Sequence, residues 1–168
     1  MTRPAICSAW RVGLALGILA VLLPRDARTQ DAGPASAACT TLGEVLGAAP
    51  RQFRAVASDE YEVLFDSWRA RITLPGFDTC WVDDVTRAFW CLHRANGVAE
   101  AGRTAARQAE HLDACWPAAA THQNIETGED GVTRLIQDWI VAEGRRIRIV
   151  HRKPARGEGL SAVFLYVY

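Results

Sequence analysis

The cysteines constrain the fold of this chain more than any other sequence feature, because each disulfide brings two distant segments together. One of the five cysteines, Cys7, belongs to the N-terminal 37 residues. The other four follow that segment, at Cys39, Cys80, Cys91 and Cys115. In an exported chain an even number of cysteines indicates disulfides, and four cysteines allow three alternative pairings. Two disulfides are therefore predicted if the chain is exported.

The N-terminal segment has the pattern of a secretory signal peptide. Arg3 and Arg11 precede Val12–Leu23, an unbroken apolar run that ends at Pro24. This run is too short for a membrane-spanning helix, which needs roughly 20 apolar residues. A basic stretch followed by a short apolar segment is instead typical of export signals. We therefore expect a small bacterial protein that is periplasmic or secreted, with no stable membrane span after signal cleavage.

Cleavage is expected between Ala27 and Ala37, where small residues suit a signal peptidase. Residues 1–37 are interpreted as signal peptide and leader, and residues 38–168 as a single α+β domain. The four residues that end at Cys39 weakly resemble a bacterial lipobox. Lipidation of Cys39 is therefore an alternative to its use in a disulfide.

A predicted hairpin selects one of the three cysteine pairings. Residues 79–83 and 87–93 have strand character, and a two-residue turn at Val85-Thr86 places Cys80 directly opposite Cys91. Opposite Cβ atoms in an antiparallel pair lie about 4.5–5.5 Å apart, close to the distance that a disulfide requires. The same register places Trp81 opposite Trp90, on the other face of the sheet.

The second disulfide follows by elimination and joins Cys39 to Cys115. Cys39 precedes the first predicted helix and Cys115 ends the second, so this bond closes a long loop. The competing interpretation is a zinc site, because Cys80, Cys91, His111 and Cys115 are all zinc-ligand types. A C-x₂₋₄-C pair is missing from the sequence, however, so two disulfides and no metal or cofactor are predicted.

The order of helical and strand patterns predicts an α+β domain, with two helices packed on one face of a mostly antiparallel sheet. The first helix follows a capping box at Thr41–Glu44, and the second spans Val98–Trp116 with Asn96 as its N-cap. Residues 118–131 are predicted to form a polar loop. Besides the hairpin, strands are predicted at about 60–65, 68–74, 132–141, 145–152 and 161–168.

Two groups of residues form a candidate binding surface. Trp81 and Trp90 share the sheet face away from the disulfide, and Trp68 is expected to join them, although core packing is the alternative for all three. Arg146, Arg148 and Arg152 share one face of a predicted strand and could bind carboxylates or phosphates. The alternatives for the arginines are neutralisation by the preceding acidic strand, or protection of a sheet edge.

The sequence contains no known catalytic motif. It lacks H-E-x-x-H, G-x-S-x-G and a glycine-rich phosphate loop, and its 19 basic and 19 acidic residues predict no nucleic-acid partner. The favoured hypothesis is a non-catalytic module that binds another exported or envelope protein, as an inhibitor, immunity or assembly factor. The alternative is an exported hydrolase or small-ligand-binding enzyme, in which His93 or His151 meets a carboxylate inside a pocket.

Overall fold

The structure, a computed structural model, describes residues 34–155 and 160–168. The helices and strands of the described residues are α1 (Pro34–Ala48), β1 (Ala57–Glu62), β2 (Ser67–Ala70), β3 (Thr79–Asp83), β4 (Ala88–Ala95), α2 (Val98–Cys115), β5 (Ala120–Thr127), β6 (Thr133–Ile140), β7 (Arg146–Lys153) and β8 (Ser161–Val167). The strands form one antiparallel sheet in the order β1-β2-β3-β4-β8-β7-β6-β5. The predicted α+β class is confirmed.

The chain order divides the domain into two halves of the same kind, each a helix followed by four antiparallel strands. The last strands of the halves, β4 and β8, pair with each other at the centre of the sheet. Helix α2 lies against β4, β7 and β8, and α1 packs against α2. The repeat is therefore one of topology, because no repeat is visible in the sequence.

The main core lies between the helices and the sheet. Strand β8 contributes to this core because every second side chain of a strand points to the same face of the sheet. Its residues Val163, Leu165 and Val167 follow this spacing, and each is 0% exposed. They pack with Leu112 of α2 and with Phe89 of β4 in one apolar cluster. Full burial of each such side chain stabilises the fold by about 1.5–3 kcal/mol.

Both predicted disulfides are present. Cys80 and Cys91 are partners in the β3–β4 ladder, with their Cα atoms 4.0 Å apart. The turn has four residues, 84–87, rather than two, but the longer turn keeps the same register because Asp83 pairs with Ala88. The Asp83 carboxylate closes the turn by accepting hydrogen bonds from the backbone N–H groups of Val85 and Thr86.

The second disulfide joins the two helices through Cys39 and Cys115, with a Cα–Cα distance of 5.4 Å. The Cys39 sulfur is therefore committed to Cys115 in this structure and is not free for a lipid. With all four cysteines paired, none is available as a thiolate for the alternative zinc site. Disulfides form and persist in oxidising compartments, so these two bonds are consistent with an exported protein.

The predicted start of α1 and the predicted N-cap of α2 are wrong, whereas the predicted start of α2 at Val98 is confirmed. Helix α1 already begins at Pro34, so Thr41 lies inside it and its hydroxyl donates to the Ala37 carbonyl at 3.0 Å instead of capping an end. Helix α2 has Gly97 rather than Asn96 as its N-cap, with a φ of 117° that favours glycine. The predicted boundary at residue 37 thus falls within α1, while the predicted export signal and Ala27 lie outside the described residues.

The predicted polar loop at 118–131 is also wrong over most of its length. It contains β5, an edge strand in which all eight residues are exposed. Its polar composition hid it, because β5 depends on backbone pairing with β6 and contributes little to the core. Among the described residues, no helix combines the length and the apolar character that crossing a membrane would require.

Candidate functional site

The sheet has one face that the two helices do not cover, and we call it the open face. Its central row runs straight across seven strands, because each member is the direct ladder partner of the next. In strand order the members of this row are Arg69, Trp81, Trp90, Tyr166, Arg148, Asp138 and His122. Aromatic side chains therefore occupy one half of the row and charged side chains most of the other.

The aromatic half of the open face forms a continuous set of ring contacts, here called the aromatic ladder. Its members are Phe65, Trp81, Trp90, Phe164, Tyr166 and Tyr168. Trp81 and Trp90 stack with ring centroids 4.4 Å apart, and Phe65 packs on Trp81 at 4.7 Å. Tyr166 continues the ladder, 6.4 Å from Trp90 and 6.0 Å from Tyr168. Such contacts hold the rings in fixed positions.

Trp68 does not belong to this ladder, contrary to the expectation from the sequence. It pairs with Val82, whose side chain lies in the core beneath the helices, so Trp68 is on the opposite face of the sheet from Trp81. Its indole N–H donates to the Asp84 carboxylate at 3.0 Å, and its ring meets Tyr61. The expected group of three tryptophans is thus reduced to two on the open face. Of these, Trp81 is only 4% exposed because it packs with Leu92 and Ala162 in a second buried cluster, so the core-packing alternative holds for Trp81 and only Trp90 is partly exposed.

The three arginines share the open face of β7, as their spacing predicted, but their environments differ. Arg148 forms a two-pronged ion pair with Asp138 of β6, with N–O distances of 2.8 and 2.9 Å. This hydrogen bonding raises the pKa of the Arg148 guanidinium above its usual value. Arg146 lies 5.2 Å from the centroid of the Tyr168 ring, in a cation–π contact. The charge of Arg148 is therefore neutralised by the neighbouring acidic strand, as one of the alternatives for the arginines expected.

Arg152 is exposed, as Arg146 is, and its ladder partner on β6 is another arginine, Arg134. Arg152 has no acidic side chain within 4.0 Å in residues 34–155 and 160–168. Arg134 is only distantly paired with Asp130, at 3.5 Å. These two guanidinium groups are available to an acidic ligand, because no strong ion pair occupies them.

The arginines and the aromatic ladder meet in a recess of about 460 Å³ on the open face. Arg134, Arg148 and Arg152 supply its charged side, and three rings of the ladder supply the other. The complete lining is Glu126, Arg134, Ile136, Arg148, Val150, Arg152, Phe164, Tyr166 and Tyr168. A second recess of about 300 Å³ continues from it towards Phe65 and Trp90, since the two share the rings of Phe164, Tyr166 and Tyr168.

The tyrosines of the recess are neutral hydrogen-bonding groups. Burial raises the pKa of Tyr166 to about 12, and burial also raises that of Tyr168. Their hydroxyl groups therefore add no negative charge beside the arginines at physiological pH. The recess as a whole offers flat apolar rings next to guanidinium groups, which suits a ligand that carries both apolar and acidic groups.

The enzyme hypothesis needs a histidine that lies next to a carboxylate and also lines a pocket. Each of its two histidines has only one of these features. His93 Nδ1 lies 3.4 Å from Asp78, and its Nε2 lies 3.7 Å from Glu100. His151 instead lines a cleft between α2 and the sheet that does not include His93. It has no carboxylate within 4.0 Å in the part of the chain that the structure describes. Pocket and carboxylate are therefore not combined at either histidine.

In the described ranges, no three His, Cys, Asp or Glu side chains come close enough together to hold a metal ion. His111, from the alternative zinc set, is half-buried on α2, and the three cysteines of that set are in disulfides.

Sequence reasoning missed much of the open face. Phe65, Phe164, Tyr166, Tyr168 and Arg134 all belong to the aromatic ladder or to the charged side of the recess. The last strand was not missed entirely, because residues 162–168 are apolar or aromatic at almost every position. This pattern predicts a central strand that is covered on both faces, or covered on one face and binding a partner with the other. Phe65 was expected in a strand at about 60–65, but β1 ends at Glu62 and Phe65 lies in the turn that follows.

Together these features define a disulfide-linked α+β domain with an aromatic and basic open sheet face. Comparison of the chain with protein-family models, with curated proteins and with solved structures finds no significant match in any of the three.

Proposed function

We propose that this chain is an exported, periplasmic or secreted, non-catalytic module that binds another exported or envelope protein through the open face. The observation that carries the proposal is the continuous aromatic ladder beside the arginines of the recess. The partner is expected to present acidic side chains next to apolar ones. An inhibitor, an immunity protein or an assembly factor would act through such a surface.

The chemistry of the open face is that of protein interfaces. Tryptophan, tyrosine and arginine are the residues most enriched at interface positions that dominate binding energy. Tryptophan and tyrosine are effective because a large, rigid ring loses little conformational freedom on binding, and arginine because its planar guanidinium binds carboxylates with two hydrogen bonds. Trp90 and Tyr166 are already held by their neighbours on adjacent strands, which lowers the cost of ordering them further.

The exported hydrolase is the less favoured function. A histidine that acts as general base should meet both the substrate and the carboxylate that orients it. His93 has the carboxylates of Asp78 and Glu100, and His151 has the cleft. The separation of these features favours binding over catalysis.

A charge-reversal experiment tests the proposed surface. Arg134 and Arg152 are changed to Glu in one variant, and the exposed helix α2 residues Arg103 and Arg107 are changed to Glu in a matched control. Both variants alter the net charge equally. Each tagged protein is mixed with an extract of exported proteins, and the captured partner is identified by mass and then purified for titration.

The proposal predicts that the partner binds the wild type and the helix variant alike and the open-face variant at least about tenfold more weakly, as the loss of charge-assisted contacts implies. Equal binding by all three proteins would contradict it, as would a loss confined to the helix variant. Circular dichroism and thiol labelling confirm that the variants keep the fold and both disulfides.

A further inference from the structure

A separate cavity lies on the opposite side of the sheet from the two recesses, between α2 and strands β5, β6 and β7, with a volume of about 390 Å³. It exists because α2 lies over β4, β8 and β7 and leaves the outer strands uncovered on this face. The wall that α2 contributes has only small residues, at helical spacing: Gly102, Ala105, Ala106 and Ala109. We call this cavity the helix–sheet cleft.

The floor of the helix–sheet cleft is graded from apolar to polar. Ile125, Leu135 and His151 are ladder partners across β5, β6 and β7, so their side chains form one row on the floor. Ile125 is 69% exposed and lies at the open edge, whereas His151 is 6% exposed and lies at the inner end. A ligand that enters from the edge would cross apolar side chains before it reaches the imidazole.

His151 is the group in the cleft that most needs a partner. Its Nε2 atom is buried and accepts or donates no hydrogen bond among the described residues. The imidazole lies close to Gly102, with Cε1 3.5 Å from the position that a Cβ atom would occupy there. A buried polar atom without a partner is unfavourable, so this nitrogen would gain from a ligand group. Four described side-chain nitrogens are in this state, and that of His151 is the one whose residue lines the cleft.

Lys153 gives the inner end of the cleft its charge. It follows His151 by two positions on β7 and therefore projects from the same face of the strand. Within the described ranges, no acidic side chain lies within 4.0 Å of its ammonium group. Burial lowers the pKa of His151, so the imidazole is neutral at pH 7 and Lys153 alone supplies the positive charge.

We propose that the helix–sheet cleft binds a small monocarboxylate with a short apolar tail. The carboxylate accepts hydrogen bonds from the Lys153 ammonium and from His151 Nε2–H, which satisfies the buried nitrogen. The tail lies on Leu135 and Ile125 and against the small residues of α2. The volume is within the range of small-molecule sites. This site is independent of the proposed function, because it lies on the other side of the sheet from the open face.

Isothermal titration of the full chain with three probes tests the site. Octanoate has both the carboxylate and the tail, acetate has only the carboxylate, and octan-1-ol has only the tail. We expect octanoate to bind at least about tenfold more tightly than either of the others, because a charge-assisted hydrogen bond and apolar burial act together. No binding of octanoate, or equal binding of octan-1-ol, would overturn the proposal.

Two substitutions locate the binding. Lys153→Gln should weaken octanoate binding at least about tenfold and leave that of octan-1-ol unchanged, since only the charge is removed. Ala106→Phe fills the cleft and should weaken both, whereas Ala114→Phe, an exposed alanine of α2 outside the cleft, should change neither. If Ala106→Phe binds octanoate as tightly as the wild type does, the ligand is elsewhere and the proposal is wrong.

Discussion

Removal of each disulfide should destabilise the domain by an amount set mainly by the loop that the bond closes. Cys39 and Cys115 are 76 positions apart, and Cys80 and Cys91 are 11 apart. In the chain-entropy model these separations correspond to about 4.5 and about 2.8 kcal/mol at 25 °C, because a longer loop restricts the unfolded chain more strongly. The helix–helix disulfide is therefore expected to contribute more than the hairpin disulfide.

The local surroundings of the cysteines modify this difference. Cys80 and Cys91 are 1% and 0% exposed, so replacing them with alanine also removes core contacts. Cys39 and Cys115 are only half-buried, so their replacement should report mostly on the loop. We expect Cys39→Ala/Cys115→Ala to lose about 4 kcal/mol and Cys80→Ala/Cys91→Ala about 3–4 kcal/mol, with the extra loss due to packing.

Urea unfolding followed by tryptophan fluorescence measures both losses, and the dependence on denaturant should steepen as the unfolded chain becomes less restricted. Thiol labelling before unfolding provides the control, because each double variant should keep its other disulfide and label neither of the two remaining cysteines after residue 37. A loss below about 1 kcal/mol for Cys39→Ala/Cys115→Ala would refute the loop argument. Labelling of Cys80 and Cys91 in the folded protein would refute the hairpin register.

Two further substitutions test groups on the two faces of the sheet. Burial raises the pKa of Tyr166 from 10.0 to about 12, so the unfolded chain loses this proton first and the free energy of unfolding falls as pH rises from about 10 to about 12. In urea titrations at fixed pH, Tyr166→Phe should lose about 2 kcal/mol less than the wild type over this interval. An identical pH dependence of the two proteins would contradict the assignment. The indole N–H of the fully buried Trp139 donates to Asp113 at 2.8 Å. Asp113→Ala should therefore cost about 1–3 kcal/mol in thermal or urea unfolding, and Asp113→Asn, which keeps an acceptor, should cost clearly less.

The parts of the fold that could be predicted from sequence are those with a strong local pattern. The β3–β4 register followed from the cysteine and tryptophan positions on either side of one turn, since Cys80 and Cys91 can only meet when Trp81 meets Trp90. The limits of α2 followed from the alanine spacing that begins at Val98. The strands β6, β7 and β8 followed from their apolar residues.

The parts that were missed depend on tertiary or backbone interactions. Strand β5 has an exposed and polar sequence, and only pairing with β6 makes it a strand. The N-cap of α2 depends on the backbone conformation of Gly97, which the neighbouring Asn96 obscured. The position of Trp68 was missed for a different reason. The alternation of apolar and polar residues around Trp68 was interpreted correctly. Whether Trp68 lies on the same face as Trp81 depends on the β2–β3 register, however, and no local pattern predicts that register.

The central claim, that the open face binds a protein partner, is tested most directly by cross-linking from adjacent residues of β5. Glu126 lines the recess of the open face, whereas its neighbour Ile125 lies on the helix side, and both are exposed. A photoreactive benzoylphenylalanine is placed at one position or the other in cells that export the protein. The account predicts one discrete cross-linked protein from position 126 and none from position 125. A product from position 125 alone, or none from position 126, would contradict it.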